Sequence, residues 1–123
     1  MAPETIMIDN VKYFKADTIA NQSVAPSTDG LEYKIVRTYS AGVFAGYVKN
    51  REGKEVTLIN ARRLWYWSGA CSLSQLAIEG TKKPNECKFA MPADVILTEA
   101  IEILDVTKLA FESINGVDIW RQK

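Results

Sequence analysis

The fold is decided by residues 33–67, YKIVRTYSAGVFAGYVKNREGKEVTLINARRLWYW, in a chain of 123 residues. The run begins with the β-rich segment YKIVRTY, and VFAGYVKN follows a Ser-Ala-Gly break at residues 40–42. A turn with glycine at residues 51–53 leads into KEVTLINARRLWYW. Alternating apolar residues separated by short glycine-containing breaks are typical of consecutive hairpins. This stretch therefore predicts three neighbouring antiparallel strands.

Two short helices are predicted after this sheet. Residues 72–80 begin with a Ser-x-x-Gln capping box and end at a glycine, with apolar residues at helical spacing between them. Residues 95–106 are rich in Ile and Leu and predict one or two strands. A threonine cap and a closing glycine bound a second helix over residues 107–116. The predicted fold class is α+β: a mainly antiparallel sheet or small barrel with two short helices.

The chain divides into three parts by composition. Residues 1–16 predict an N-terminal hairpin arm, with its turn at an Asp-Asn pair. Residues 17–32 are dominated by Ser, Thr, Pro, Asp and Gly and predict a linker. Residues 33–123 form the predicted α+β core domain. The linker is expected to let the arm dock elsewhere, for example on a neighbouring subunit.

Composition excludes several classes of function. The chain has 15 Lys and Arg against 15 Asp and Glu, so no general nucleic-acid binding is expected. It has no histidine, which removes the commonest general base and metal ligand. Cys71 and Cys87 are expected to be reduced thiols, because no signal peptide or membrane span is recognisable. We therefore expect a cytoplasmic protein that is not an enzyme, with no cofactor, no metal and no membrane contact.

The glycines of TYSAGVFAGY do not form a nucleotide-binding loop. The stretch is not GxGxxG, and no helix follows it. Gly42 and Gly46 are expected instead to serve backbone bends, or close packing against Trp65 or Trp67.

Three large aromatic residues follow two arginines directly. In an extended strand Arg63, Trp65 and Trp67 share one face, and Arg62 and Tyr66 lie on the other. Such a cluster suits stacking and cation–π contact with a ligand or partner. The alternative is core packing, with the arginine stems covering the rim. The candidate binding residues are Arg62, Arg63, Trp65, Tyr66 and Trp67, with Arg37 and Tyr39 from the neighbouring strand as secondary candidates.

The binding hypothesis makes a direct prediction. The double substitution Arg62→Ala with Arg63→Ala should leave the protein folded and remove binding. Loss of folding would contradict a binding role for these arginines.

The chain resembles a known family over about residues 36–120. The runs RTYSAGVFAGYVKNREGKEVTLINARRLWYWSGACSLSQLAIEG and CKFAMPADVILTEAIEIL carry the resemblance. The family consists of small, uncharacterised proteins encoded by tailed bacteriophages and prophages, and is a domain of unknown function. The resemblance implies a phage origin and brings no established activity.

Two functions fit these observations. The first is a phage-encoded accessory protein that binds a host factor or a nucleotide-like ligand, in counter-defence or host takeover. It would act in the host cytoplasm. The second is a virion structural protein of the capsid, decoration or tail. Both readings predict a homo-oligomer.

Overall fold

The computed structural model describes residues 24–122. Within this range the chain forms a six-stranded, fully antiparallel sheet and two α-helices, which confirms the predicted α+β class. The hairpin arm predicted for residues 1–16, and the linker as far as residue 23, lie outside the described residues. The elements are β1 (Glu32–Thr38), β2 (Val43–Glu52), β3 (Glu55–Tyr66), α1 (Leu73–Glu79), a 3-10 turn (Pro84–Glu86), β4 (Lys88–Phe89), β5 (Ala93–Leu97), β6 (Ala100–Asp105) and α2 (Lys108–Gly116).

The sheet curves back on itself. Its path runs β4-β3-β2-β1-β6, and β5 pairs with β3 on the edge away from β2. Strands β5 and β6 therefore lie at opposite edges, although only Thr98 and Glu99 separate them in the chain. Backbone hydrogen bonds hold this crossing in place, from Tyr39 N–H to Glu99 O (2.9 Å) and from Ala100 N–H to Lys54 O (3.0 Å). So short a link between opposite edges requires strong curvature.

Curvature gives the sheet two separate apolar cores. Ile35 and Leu64 belong to the larger core, which the helices cover. Val36, Phe44 and Leu58 belong to the smaller core on the other face. Neighbours such as Ile35 and Val36 enter different cores because side chains alternate along a strand. Both faces of the central strands are therefore covered.

Strand β3 has an irregularity in its pairing with β2. Asn60 has a positive φ of 52°, and its backbone N–H donates to Asp94 Oδ1 at 3.0 Å. Opposite it, the pairing register shifts beside Gly46, where an added Cβ would lie 2.7 Å from Ala61 Cα. The predicted close packing of Gly46 is present, but its partner is Ala61 rather than a tryptophan. Gly42 has φ 101° and supplies the predicted bend.

Both helices begin where the sequence predicts, but only α1 ends as predicted, because α2 continues through Gly116 and has Val117 as its C-cap. The Ser72 Oγ accepts a hydrogen bond from Gln75 N–H (3.1 Å), and α1 is followed by Gly80 at φ 75°. The Thr107 Oγ1 accepts from Ala110 N–H at 3.1 Å. Beyond α2 the chain returns to the sheet, where Trp120 N–H donates to the Phe89 carbonyl at 2.9 Å. This last segment brings the C-terminal residues beside β4.

Candidate aromatic and cationic binding site

Arg62 is a buried structural residue. Its side chain is 3% exposed, and burial lowers the pKa of its guanidinium. The guanidinium also lies over the Phe89 ring, 5.7 Å from the centroid. All its acceptors are backbone carbonyls: Ala90 (from Nε, 2.8 Å), Ile114 and Val117 (from Nη1, 2.8 and 2.9 Å), and Phe89 and Asp118 (from Nη2, 3.1 and 3.4 Å).

These contacts tie together three parts of the chain. Arg62 lies in β3, and its acceptors belong to β4 with the residue after it, to α2, and to the segment that follows α2. The last carbonyls of a helix lack partners within the helix and carry partial negative charge, so they suit a buried cation. We therefore assign Arg62 to the support of the C-terminal segment and leave it out of the ligand-contacting surface. The double substitution Arg62→Ala with Arg63→Ala is accordingly expected to destabilise the fold, contrary to the expectation from the sequence.

Arg63, the next residue, has a different environment. Its guanidinium lies 4.7 Å from the ring centroid of Phe44 and 5.1 Å from that of Trp65. Trp65 in turn contacts Trp120 edge to face, with centroids 6.3 Å apart and ring planes at 66°. The Lys88 Nζ lies 5.5 Å from the Trp120 ring centroid. We call this continuous series, Phe44, Arg63, Trp65, Trp120 and Lys88, the aromatic–cation row.

The two tryptophans of the row are open to solvent. Trp65 is 57% exposed and Trp120 is 48% exposed. Because the two rings are also in contact, they form one continuous exposed aromatic surface. Both rings offer area on which a planar group could stack.

The cations of the row have no acidic partner within residues 24–122. Ion pairs in this part of the chain involve Lys34, Arg37 and Lys108 instead. The Arg63 Nε is buried and has no hydrogen-bond acceptor among the described residues. The row therefore keeps its positive charge available for an anion.

Two depressions meet at Trp65. A groove of about 490 Å³ is lined by Trp65, Trp120, Arg121 and Gln122. A cleft of about 220 Å³ also has Trp65 in its lining, together with Arg63 and the apolar side chain of Met91. Each depression thus combines an arginine with apolar or aromatic side chains.

The other predicted site residues lie apart from the row or at its margin. Tyr66 is 55% exposed and pairs with Lys88 in the strand register. Alternation along an extended strand predicts that Trp67 shares the face of Trp65. The structure does not place it there. Strand β3 ends at Tyr66, and Trp67 packs against the larger core instead.

Arg37 and Tyr39 come from a different part of the sheet. Arg37 lies on β1, which β2 separates from β3, and its Nε donates to Glu102 Oε1 at 2.8 Å. Tyr39 lies in the turn after β1 and is 78% exposed. Neither residue belongs to the row.

Sequence reasoning missed the second half of the row. Trp120 lies more than fifty positions from Trp65 and joins it only because the C-terminal segment returns to β4. Lys88 likewise joins the row only through the pairing of β4 with β3. The available signal was the C-terminal sequence VDIWRQK, in which an aromatic residue again adjoins an arginine.

Cys71 and Cys87 are both free thiols; Cys71 is exposed and Cys87 is partly buried. Between residues 24 and 122, no group of three or more His, Cys, Asp or Glu side chains is placed to hold a metal ion. No helix in this range has the length and apolar character needed to cross a membrane.

The chain belongs to an uncharacterised domain family. The model of that family, described as Domain of unknown function (DUF6948), matches residues 31–114. The matched range contains β2, β3 and both Arg62 and Arg63, whereas Trp120 lies beyond it. Comparison with curated proteins and with solved structures gives no match.

Proposed function

We propose that this chain is a phage-encoded, non-enzymatic accessory protein that binds a nucleotide-like ligand on the aromatic–cation row. The observation that carries the proposal is the pair of exposed indoles, Trp65 and Trp120, each with a cation over its ring. Nucleotides combine a planar base with negative charge, and proteins bind them by aromatic stacking beside basic groups.

Different residues of the site supply stacking surface and positive charge. Trp65 and Trp120 supply flat apolar surface for a base. Arg63 and Lys88 supply positive charge beside those rings, and Arg121 adds a third cation in the groove. Arginine is suited to phosphate because its planar fork can donate two parallel hydrogen bonds.

A phage origin is consistent with a protein that sequesters a nucleotide of its host. The family resemblance points to tailed bacteriophages and prophages, whose host defends itself in the cytoplasm. A small protein that holds a nucleotide without transforming it lowers the free concentration of that nucleotide. This is the action expected of a counter-defence or host-takeover protein, and it requires no catalytic group.

The test is isothermal titration calorimetry with a panel of nucleotides, using the full chain and single variants. Trp65→Ala and Trp120→Ala should each weaken binding on the order of tenfold, the loss expected for one stacked base. Tyr39→Ala is the matched control, since it removes an exposed aromatic residue outside the row. Circular dichroism verifies that each variant is folded. Equal affinity in all variants would refute the proposal.

A second candidate function is a virion structural protein, and a different surface favours it. Ile78 of α1 and Leu109 of α2 are both exposed, and Ile78 lines a groove of about 370 Å³ together with Ala77 and Leu104. Exposed apolar residues beside a groove are suited to contact between subunits. This function predicts large symmetric assemblies that Ile78→Glu disrupts. A stable small species would count against it.

A further inference from the structure

The geometry of the two indoles points to a ligand with two adjacent nucleotides, a conclusion that rests on the proposed nucleotide-binding function. We infer that Arg63 with Trp65, and Lys88 with Trp120, form two neighbouring subsites, each of which receives one nucleotide. The ligand class is a dinucleotide unit, either free or within a single strand.

The first argument is that the indoles cannot enclose one base between them. A sandwich needs two parallel rings about 7–8 Å apart, because each stacked contact spans about 3.5–4 Å. Here the centroids are 6.3 Å apart and the planes meet at 66°, with the edge of one ring against the other. No planar group fits between rings that are already in contact. Each ring must therefore offer its own exposed area separately.

The second argument is that each indole has a cation of its own. The guanidinium of Arg63 lies 5.1 Å from the Trp65 centroid, and Lys88 Nζ lies 5.5 Å from the Trp120 centroid. A single mononucleotide would use one ring and one cation and leave the other pair unoccupied. Two linked nucleotides place a base and a phosphate at both pairs.

The third argument comes from two depressions that share Trp65 in their linings. The cleft contains Arg63 and the groove contains Trp120 with Arg121, and Trp65 is the residue common to both linings. A ligand that fills both depressions must extend across Trp65. A dinucleotide unit has this extended form, with its linking phosphate near the middle.

The experiment compares three probes: adenosine 5′-monophosphate, a 5′-phosphorylated adenine dinucleotide, and an oligoadenylate six nucleotides long. Binding is followed by NMR of the indole N–H signals in full-length protein, assigned with Trp→Phe variants. Trp67 serves as the internal control, because it packs against the larger core.

We expect the dinucleotide to bind at least about tenfold more tightly than the mononucleotide, because a second stacked base is added. It should shift the signals of Trp65 and Trp120 together. Trp120→Ala should bring dinucleotide affinity to within about threefold of the mononucleotide value, and Tyr39→Ala should leave it unchanged.

The outcomes separate this inference from the function on which it rests. Equal affinity for mononucleotide and dinucleotide would overturn the two-subsite inference and leave the proposed function standing. Absence of binding to all three probes would overturn both. If the longer strand binds as tightly as the dinucleotide, the inference holds for a free dinucleotide. Tighter binding of the longer strand supports it for a single strand.

Discussion

Replacing Arg62 by methionine should destabilise the protein severely. The substitution keeps an unbranched side chain but removes the donors that Arg62 supplies to five backbone carbonyls. Phe89 and Ile114 keep another partner, because their carbonyls also accept from Trp120 N–H and Val117 N–H. The carbonyl of Val117, a buried residue, would lose the partner that Arg62 supplies.

The magnitude follows from these losses. A buried polar group left without a partner costs about 1–3 kcal/mol, and the carbonyls of Ala90 and Val117 are the two affected inside the protein. Two such losses together cost about 2–6 kcal/mol. We therefore expect Arg62→Met to lower the free energy of unfolding by about 2–6 kcal/mol. That is a large part of the roughly 5–15 kcal/mol typical of a domain.

Urea unfolding followed by far-UV circular dichroism measures this effect. The midpoint should fall by roughly 2 M. Arg63→Met is the matched control. Arg63 contacts the rings of Phe44 and Trp65 and does not bind the backbone carbonyls that Arg62 holds. Its substitution should cost about 1–2 kcal/mol, the value of cation–π contacts made by a partly buried guanidinium. Equal costs for the two variants would refute the assignment of Arg62 as a buried clamp.

Three further predictions concern the rest of the fold. Gly46→Ala should lower the free energy of unfolding by about 1–3 kcal/mol, because the new Cβ would lie 2.7 Å from Ala61 Cα. Gly116→Ala is the control: a Cβ there meets open space, so the same urea assay should find almost no change. Burial raises the pKa of Tyr33 from 10.0 to about 12, so the stability it contributes is complete below pH 10 and is lost as pH rises toward 12. The loss should reach about 2–3 kcal/mol, and urea titrations at several pH values should find it absent in Tyr33→Phe. Thr107→Ala removes the cap of α2 and should lower the thermal midpoint by a few degrees, equivalent to about 1 kcal/mol; an unchanged midpoint would contradict the capping role.

Local patterns in the sequence were sufficient for most of the fold. Alternation and glycine breaks predicted β1 to β3, and Ser72 and Thr107 predicted the starts of both helices. These features depend on neighbouring residues, which is why they can be read directly from the chain. The small-barrel alternative allowed for curvature, but the pairing of β5 with β3 and of β6 with β1 joins distant strands and was not predicted.

The candidate site was only half predictable. Alternation places Arg62 and Arg63 on opposite faces, but it does not say which face is closed by another part of the chain. The C-terminal segment closes the face of Arg62 and brings Trp120 to the face of Arg63. Trp67 departed from the prediction because β3 ends one residue earlier. These outcomes depend on tertiary contacts between residues far apart in sequence.

The most direct test of the central claim is the native mass of the purified protein, recorded after incubation with a small-molecule extract of host cells. We expect a defined small species that carries an added mass in the nucleotide range. The added mass should be lost in Trp65→Ala and kept in Tyr39→Ala. A species without added mass that forms large rings or open-ended assemblies would contradict the account, and would make the exposed indoles a joint between subunits.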